Sequence, residues 1–227
     1  MGYILPSVYK SICDAMHREC PKVFVETGTF KGGVEHRILE NNKSKLDDIF
    51  DLYYTIEIDP DICSIASYRY KMFERYGEHI TRDLIHSDDK DFDWIGIGRY
   101  FNNRLTLFEG DSAEVLGELL PTISQPICFW LDAHSGAQKY GKGADDVALF
   151  RELDIIKKYW IPGSIIAIDD ITLFGNIQYD KKTGLPVCDY SHVTIDSVCD
   201  RIKNIDINNQ IEIIAPFNMP MLIAYIK

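Results

Sequence analysis

The residues best suited to chemistry begin with an acid and a glycine turn that follow a short apolar segment. Residues 23–33 read VFVETGTFKGG. An alternating pattern typical of a buried strand leads into Glu26, and Gly28 then lets the backbone approach a ligand. The spacing E-x-G-x-x-x-G differs from the G-x-G-x-x-G of a dinucleotide site, because a carboxylate repels phosphate and accepts from an ammonium or hydroxyl group. The segment therefore predicts a nucleotide-type ligand other than a dinucleotide.

Polar residues also follow each of the next four predicted strands. Ligands of open α/β sheets bind beyond the carboxyl ends of the strands. Any single acid at such a position could be a helix N-cap or a solvated loop residue. The same feature at five successive strand ends indicates one shared site. In chain order, these residues are Glu26 and Gly28, Glu57, Asp111 and Ser112, Asp132 and His134, and Asp169 and Asp170.

The pattern of apolar residues places this site on an α/β sheet. Predicted strands alternate with predicted helices, and the last two strands are separated by a connection short enough for a hairpin. This order predicts a single domain over residues 1–227, with a Rossmann-like, doubly wound, mainly parallel seven-stranded sheet and an antiparallel C-terminal strand. The predicted strands lie at residues 23–25, 53–58, 104–109, 127–132, 164–168, 211–215 and 221–226, and the predicted helices at 7–19, 34–39, 61–76, around 115–119 and 149–161.

Composition narrows the class of ligand and the cellular setting. A formal net charge of -11 argues against a broad nucleic-acid surface, since polyanion binding rests on Lys and Arg. No apolar run is long enough to cross a bilayer, and the six cysteines form no C-x-x-C pair, which favours reduced thiols in a cytoplasmic protein. We expect a small-molecule acceptor and neither a nucleic-acid nor a membrane partner. A homodimer is compatible with the sequence.

Two of these segments carry a resemblance to a known family. Residues 26–32, ETGTFKG, and residues 54–61, YTIEIDPD, resemble the first and second motifs of the class I S-adenosylmethionine-dependent methyltransferases. The resemblance implies that a loop comprising Glu26, Thr27, Gly28, Thr29 and Gly32 packs against the methionine part of S-adenosyl-L-methionine. It also implies that Glu57, next to Ile58, accepts from both ribose hydroxyls, with Asp59 as an alternate. Asp111 and Ser112 would border the adenine, and Asp132 would also contact the cofactor.

The second half of the chain resembles the metal-dependent O-methyltransferases of the catechol and macrocin types. The segments that carry this likeness are residues 131–134 (LDAH), 162–164 (PGS) and 168–170 (IDD). The resemblance implies an Mg²⁺ ion held by Asp132, Asp169 and Asp170, because three carboxylates form an all-oxygen site for a hard cation. It also implies that Asp132 and His134 are catalytic, with His134 as the base. Ala133 and His134 replace the polar and acidic residues that are common in those relatives.

Three further segments each allow two interpretations. The glycine-containing loop 135–146 is either a lid or a solvated crossover. The segment around 171–200 is either an acceptor-side wall, through Phe174, Tyr179 and Tyr190, or a small hydrophobic cluster. The segment 81–103 is either a metal-binding cluster, through His86 and the four acids Asp88, Asp89, Asp91 and Asp93, or a solvated surface insertion in the second crossover, which is the interpretation we favour.

The sequence therefore predicts an enzyme that transfers a methyl group from S-adenosyl-L-methionine to a hydroxyl of a small molecule such as a sugar, a phenol or a natural-product scaffold, with magnesium assistance. One alternative is a metal-independent methyltransferase that acts on an amine or a protein side chain. The other is a non-catalytic S-adenosylmethionine-binding module.

Overall fold

A computed structural model describes residues 14, 19–29, 50–76, 99–101, 105–133, 147–214 and 220–226. The strands are β1 (Val23–Thr27), β2 (Leu52–Glu57), β3 (Arg99–Phe101), β4 (Leu105–Glu109), β5 (Ile127–Leu131), β6 (Ile165–Ile168), β7 (Ile177–Tyr179), β8 (Pro186–Asp189), β9 (Asn209–Ile214) and β10 (Met221–Ile226). The helices are α1 (Pro60–Tyr76), α2 (Ser112–Leu119), α3 (Leu149–Lys158) and α4 (Ile195–Ile205), with short 3₁₀ turns at Leu120–Thr122 and Ile171–Leu173.

Eight of these strands form one twisted sheet, in the order β3-β4-β2-β1-β5-β6-β10-β9. Strands β4, β2, β1, β5 and β6 are mutually parallel, whereas β10 is antiparallel to both of its neighbours. Strand order reverses between β1 and β5, because the chain proceeds from β1 to β2 and β4 on one side and from β5 to β6 on the other. Ligands of such sheets bind at this switch point.

Both faces of the sheet are covered, which explains why the central strands are almost entirely apolar. Alternate residues of each strand point to opposite faces, so that Val25 and Phe129 enter one core cluster and Phe24 and Trp130 enter the other. Helices α2, α3 and α4 contribute to the first cluster, and α1 contributes to the second.

The predicted fold class is confirmed, with two differences in detail. The short strand β3 pairs antiparallel with β4, although the sequence indicated only a surface insertion at residues 81–103. The reversed strand β10 lies between β6 and β9, so the sheet ends in β9 and does not end in the reversed strand as the hairpin pattern suggested. The rest of the insertion, and the predicted helix at 34–39, lie outside the described residues, as does the helix at 7–19 apart from its positions 14 and 19.

The described part of the chain tests two expectations from composition, namely reduced cysteines and the absence of a membrane-spanning segment. Cys63, Cys128, Cys188 and Cys199 form no disulfide bond, which agrees with the prediction of reduced thiols. Cys20 is disulfide-bonded, so the prediction of reduced thiols is wrong for this residue, because spacing in a sequence does not determine which cysteines meet in the fold. No helix in the described part of the chain has the length and apolar character required to cross a bilayer.

Candidate active site

The turn after β1 is packed directly on the backbone that follows β5. The backbone N–H groups of Gly28 and Thr29 both donate to the Ile56 carbonyl, at 3.0 and 3.1 Å, and the N–H of Asp132 donates to the Thr27 carbonyl at 3.2 Å. Gly28 has φ +78°, and a Cβ at this position would lie 2.4 Å from the Asp132 carbonyl oxygen. Only glycine satisfies both the left-handed backbone and this close approach.

The carboxylate of Glu26 is held inside the sheet. Glu26 is 1% exposed, and its Oε2 accepts a hydrogen bond of 2.9 Å from the Thr55 hydroxyl on β2. The Thr29 hydroxyl is hydrogen-bonded to that of Thr55 and also donates to the Ile56 carbonyl at 3.1 Å. Glu26 is therefore linked through Thr55 to the residue that follows Gly28, and it helps to fix the shape of the predicted cofactor turn.

The two acids after β2 have different surroundings. Asp59 accepts from the backbone N–H groups of Asp61 and Ile62, at 2.9 and 3.0 Å, which makes it the N-cap of α1. Glu57 is buried and accepts from the Asp59 N–H at 3.0 Å through Oε1. This arrangement favours Glu57 over Asp59 as the predicted ribose acceptor, because the capping oxygen of Asp59 already serves α1. Ile58 lies between them and is half-buried.

After β4, Asp111 joins helices α2 and α3. Its Oδ1 accepts from the backbone N–H groups of Ala113 and Glu114, and both of its oxygens accept from Arg151, at 3.0 and 2.8 Å. Burial alone would raise the pKa of Asp111, but the Arg151 guanidinium and these backbone donors outweigh it and hold the pKa below its usual value. Asp111 is therefore the N-cap of α2, and its predicted contact with the adenine stays a prediction. Ser112, the first residue of α2, is buried.

The acids after β5 and β6 line a common pocket that opens to solvent. Asp132, Asp169 and Asp170 all contribute to its wall. Asp169 is 6% exposed, and its Oδ1 accepts from the backbone N–H of Asp170 at 2.8 Å. Its own N–H donates to the Leu131 carbonyl at 3.1 Å. The structure therefore brings the three predicted metal ligands to one pocket.

The same three carboxylates do not form a metal centre as they lie. No group of three or more His, Cys, Asp or Glu side chains within the described ranges is arranged to hold a metal ion. His134, Gly32 and the loop 135–146 lie outside the described residues, so their predicted roles stay predictions.

A fourth acid, Glu152 on α3, lines the same pocket and is not among the site residues predicted from the sequence. Its side chain is 1% exposed, and neither carboxylate oxygen has a hydrogen-bond partner within the described residues. Burial raises the pKa of Glu152 to about 7, and the nearby hydroxyls of Ser112 and Thr27 oppose that rise without forming regular hydrogen bonds to it. The sequence does contain one sign of this burial, because Glu152 lies three residues after Leu149 and therefore on the apolar face of the predicted helix.

Aromatic residues from the segment after β6 form one side of the pocket. The rings of Phe174 and Tyr190 stack with centroids 6.1 Å apart, and both residues line the pocket. Tyr190 is buried, and burial together with Cys188 and the Asp170 and Asp132 carboxylates raises the pKa of its phenol, which keeps it neutral. Tyr179 is 57% exposed and does not line the pocket. Two of the three predicted aromatic residues therefore form the wall, and they also pack on each other.

No protein-family model and no curated protein sequence matches the chain. Solved structures do resemble it. The O-methyltransferase TomG of Streptomyces achromogenes, involved in tomaymycin synthesis and solved in complex with SAM, is 12% identical, with a TM-score of 0.57 over 99% of this chain and 81% of that one. A putative O-methyltransferase from Klebsiella pneumoniae is 13% identical, with a TM-score of 0.54 and the same coverage. At these identities the likeness establishes the fold alone. The chain has the Rossmann-like fold of these methyltransferases.

Proposed function

We propose that this protein is an S-adenosyl-L-methionine-dependent methyltransferase that acts on a hydroxyl group of a small molecule. The observation that carries the proposal is the packing of the Gly28 turn on the backbone of Asp132. This contact places the predicted cofactor loop beside the pocket that would hold the acceptor. The proposed chemistry is supported by the O-methyltransferase TomG and by the Klebsiella pneumoniae protein described as a putative O-methyltransferase, which share the fold.

The cofactor would lie across the carboxyl ends of β1, β2 and β4. Glu57 would accept from the ribose hydroxyls, because a carboxylate can take two hydrogen bonds at once. The turn formed by Thr27, Gly28 and Thr29 would face the methionine part of the cofactor. Glu26 would support this turn from inside the sheet and attract the ammonium group, and Ser112 would lie near the adenine.

The acceptor would occupy the pocket beside Asp132. Methyl transfer requires the acceptor oxygen to attack the methyl carbon in line while the carbon–sulfur bond breaks, leaving a neutral thioether. The hydroxyl proton then needs a base, and His134, two residues beyond Asp132, is the proposed one. The ring pair Phe174 and Tyr190 would cover the apolar part of the acceptor and exclude water from the reacting atoms.

The described residues do not fit a magnesium ion in their present arrangement, so no step of the proposed reaction uses one. Asp132, Asp169 and Asp170 share the pocket without forming a cluster around one point. The magnesium ion expected from the resemblance is thus a separate hypothesis that metal titration can test.

A second candidate function is methyl transfer to an amine. The observation that favours it is the acidic lining of the pocket, in which none of the described residues is basic. The carboxylates would attract a protonated amine. The amine would then have to lose a proton before its nitrogen could attack the methyl carbon.

Titration calorimetry with S-adenosylhomocysteine, followed by turnover assays with hydroxyl and amine acceptors, tests the proposal. Binding with a one-to-one stoichiometry and methylation of a hydroxyl acceptor are the expected results. Absence of binding would exclude both methyltransferase functions. Binding without methylation of any acceptor would favour the non-catalytic module.

A further inference from the structure

The pocket beside β5 and β6 carries a concentration of negative charge with no positive side chain among its described lining residues. Four of its eleven described lining residues are acids, namely Asp132, Glu152, Asp169 and Asp170. Arg151, which precedes Glu152 on α3, does not line the pocket, and its guanidinium donates to both carboxylate oxygens of Asp111.

The burial of Glu152 is the observation that points to a ligand in this pocket. Glu152 is 1% exposed, and both of its oxygens lie without a hydrogen-bond partner within the described residues. Burying an unpaired carboxylate is costly, and native proteins rarely leave such a group without a donor. Since α3 fixes Glu152 at the pocket wall and the neighbouring hydroxyls of Thr27 and Ser112 do not form regular hydrogen bonds to it, a bound molecule is the natural source of the missing donor.

We propose that this pocket binds the protonated amine of a small molecule, with Glu152 as its hydrogen-bond acceptor and the ring pair Phe174 and Tyr190 covering the attached apolar group. An ammonium group supplies both the positive charge and several N–H donors. A neutral hydroxyl supplies a donor without the charge. A metal ion would need several carboxylates around one point, which the described residues do not provide.

The amine site depends on the proposed function in one respect only, namely the identification of the bound amine as the methyl acceptor. The amine can be the anchor that orients the acceptor while a hydroxyl elsewhere in the molecule receives the methyl group. Binding of the amine to the pocket is a property of the protein that can be measured without turnover.

The test compares benzylamine with benzyl alcohol, which have the same ring but differ in charge. Their affinities for the full chain are measured by NMR titration at pH 7.5, with and without S-adenosylhomocysteine. We expect benzylamine to bind at least about ten-fold more tightly, and Glu152→Gln to remove most of that preference.

Glu118→Gln is the matched control, because Glu118 lies on the neighbouring helix α2, is exposed and makes the same change in net charge. The preference for benzylamine should survive in this variant. Circular dichroism melting curves confirm that both variants fold, as expected for an amide that replaces a carboxylate of similar volume.

Equal binding of the two probes, binding of neither, or a preference that survives Glu152→Gln would overturn the proposal. Saturable Mg²⁺ binding that displaces benzylamine and is lost in Glu152→Gln would overturn it as well, in favour of a metal site. The titration with S-adenosylhomocysteine on the same samples is independent of these outcomes. Failure of that titration alone would contradict the proposed function and leave the amine site standing.

Discussion

A Cβ on Gly28 would lie 2.4 Å from the carbonyl oxygen of Asp132, so the turn after β1 and the chain leaving β5 meet backbone to backbone. These two strands flank the point where strand order reverses. The contact therefore joins the predicted cofactor turn to the acidic pocket at the position where sheets of this kind bind ligands. Any change that separates the two backbones should disturb both sites together.

Gly28→Ala tests this contact, and Gly175→Ala is its matched control. The two glycines have nearly the same φ, +78° and +77°, but a Cβ at Gly175 would meet nothing within 4 Å. We expect Gly175→Ala to cost about 1–2 kcal/mol of unfolding free energy from the left-handed backbone alone. Gly28→Ala should cost a further ~1–3 kcal/mol because the backbone must also move. Urea unfolding measures both, and equal losses would show that the close approach is not a constraint.

Glu152→Gln should change how stability depends on pH. In the wild type, the pKa of this carboxyl is about 7 in the folded protein against an ordinary value of 4.5. The folded state therefore binds more protons between these values, and stability falls as pH rises across that window. Glutamine does not titrate, so the variant should become more stable than the wild type by up to ~3 kcal/mol above pH 7. Urea unfolding from pH 4.5 to 8 measures this difference. If the unfolding free energies of the wild type and of Glu152→Gln changed in parallel with pH, the result would contradict a buried, unpaired Glu152.

Asp111→Ala should destabilise the junction of α2 and α3 more than Asp111→Asn. Alanine removes the N-cap and the partner of Arg151, whereas asparagine keeps a capping oxygen. A lost cap costs about 0.5–2 kcal/mol. Because the pKa of Asp111 is lowered, the stability it contributes is present above its usual value of 3.8 and is lost as pH falls through the lowered pKa. Urea unfolding at a series of pH values below 7 should show the stability gap between the wild type and Asp111→Asn narrowing as the pH falls, and a gap that is independent of pH would rule out the ion pair.

Removal of divalent metal should leave ligand binding at this site unchanged. The described carboxylates do not form a metal cluster, so we expect no saturable Mg²⁺ binding by calorimetry and no effect of EDTA on affinity for S-adenosylhomocysteine. The comparison uses the wild type and Asp169→Asn. Saturable Mg²⁺ binding that Asp169→Asn abolishes would restore the metal role implied by the resemblance.

The features that could be predicted from the sequence are those set by local pattern. The central strands follow from continuous apolar runs, and the position of Gly28 follows from a glycine directly after a strand. Asp59 and Asp111 each stand next to a helix start, where a cap is expected. The order of the final strands could not be predicted, because a hairpin can join a sheet through either of its strands, and here β10 pairs with β6.

The unpredicted part of the site depends on tertiary packing. Glu152 has no motif around it, and its importance comes from α3 placing it in a pocket between residues far away in the sequence. The bond between Asp111 and Arg151 joins residues 40 positions apart. Neither motif spacing nor helical periodicity predicts contacts between residues so far apart in the sequence. The resemblance to metal-dependent enzymes placed three carboxylates in one pocket correctly but could not show how their oxygens are oriented.

The proposed cofactor site can be measured by titration calorimetry with S-adenosylhomocysteine on the wild type, Glu57→Gln and Glu118→Gln. We expect one-to-one binding to the wild type and to Glu118→Gln, because Glu118 is exposed and distant in sequence from the proposed ribose contact. We expect an affinity lower by about ten-fold or more for Glu57→Gln, because an amide cannot accept two charge-assisted hydrogen bonds. Absence of binding to the wild type, or equal affinity in all three proteins, would contradict the assignment of a methyltransferase cofactor site at these strand ends.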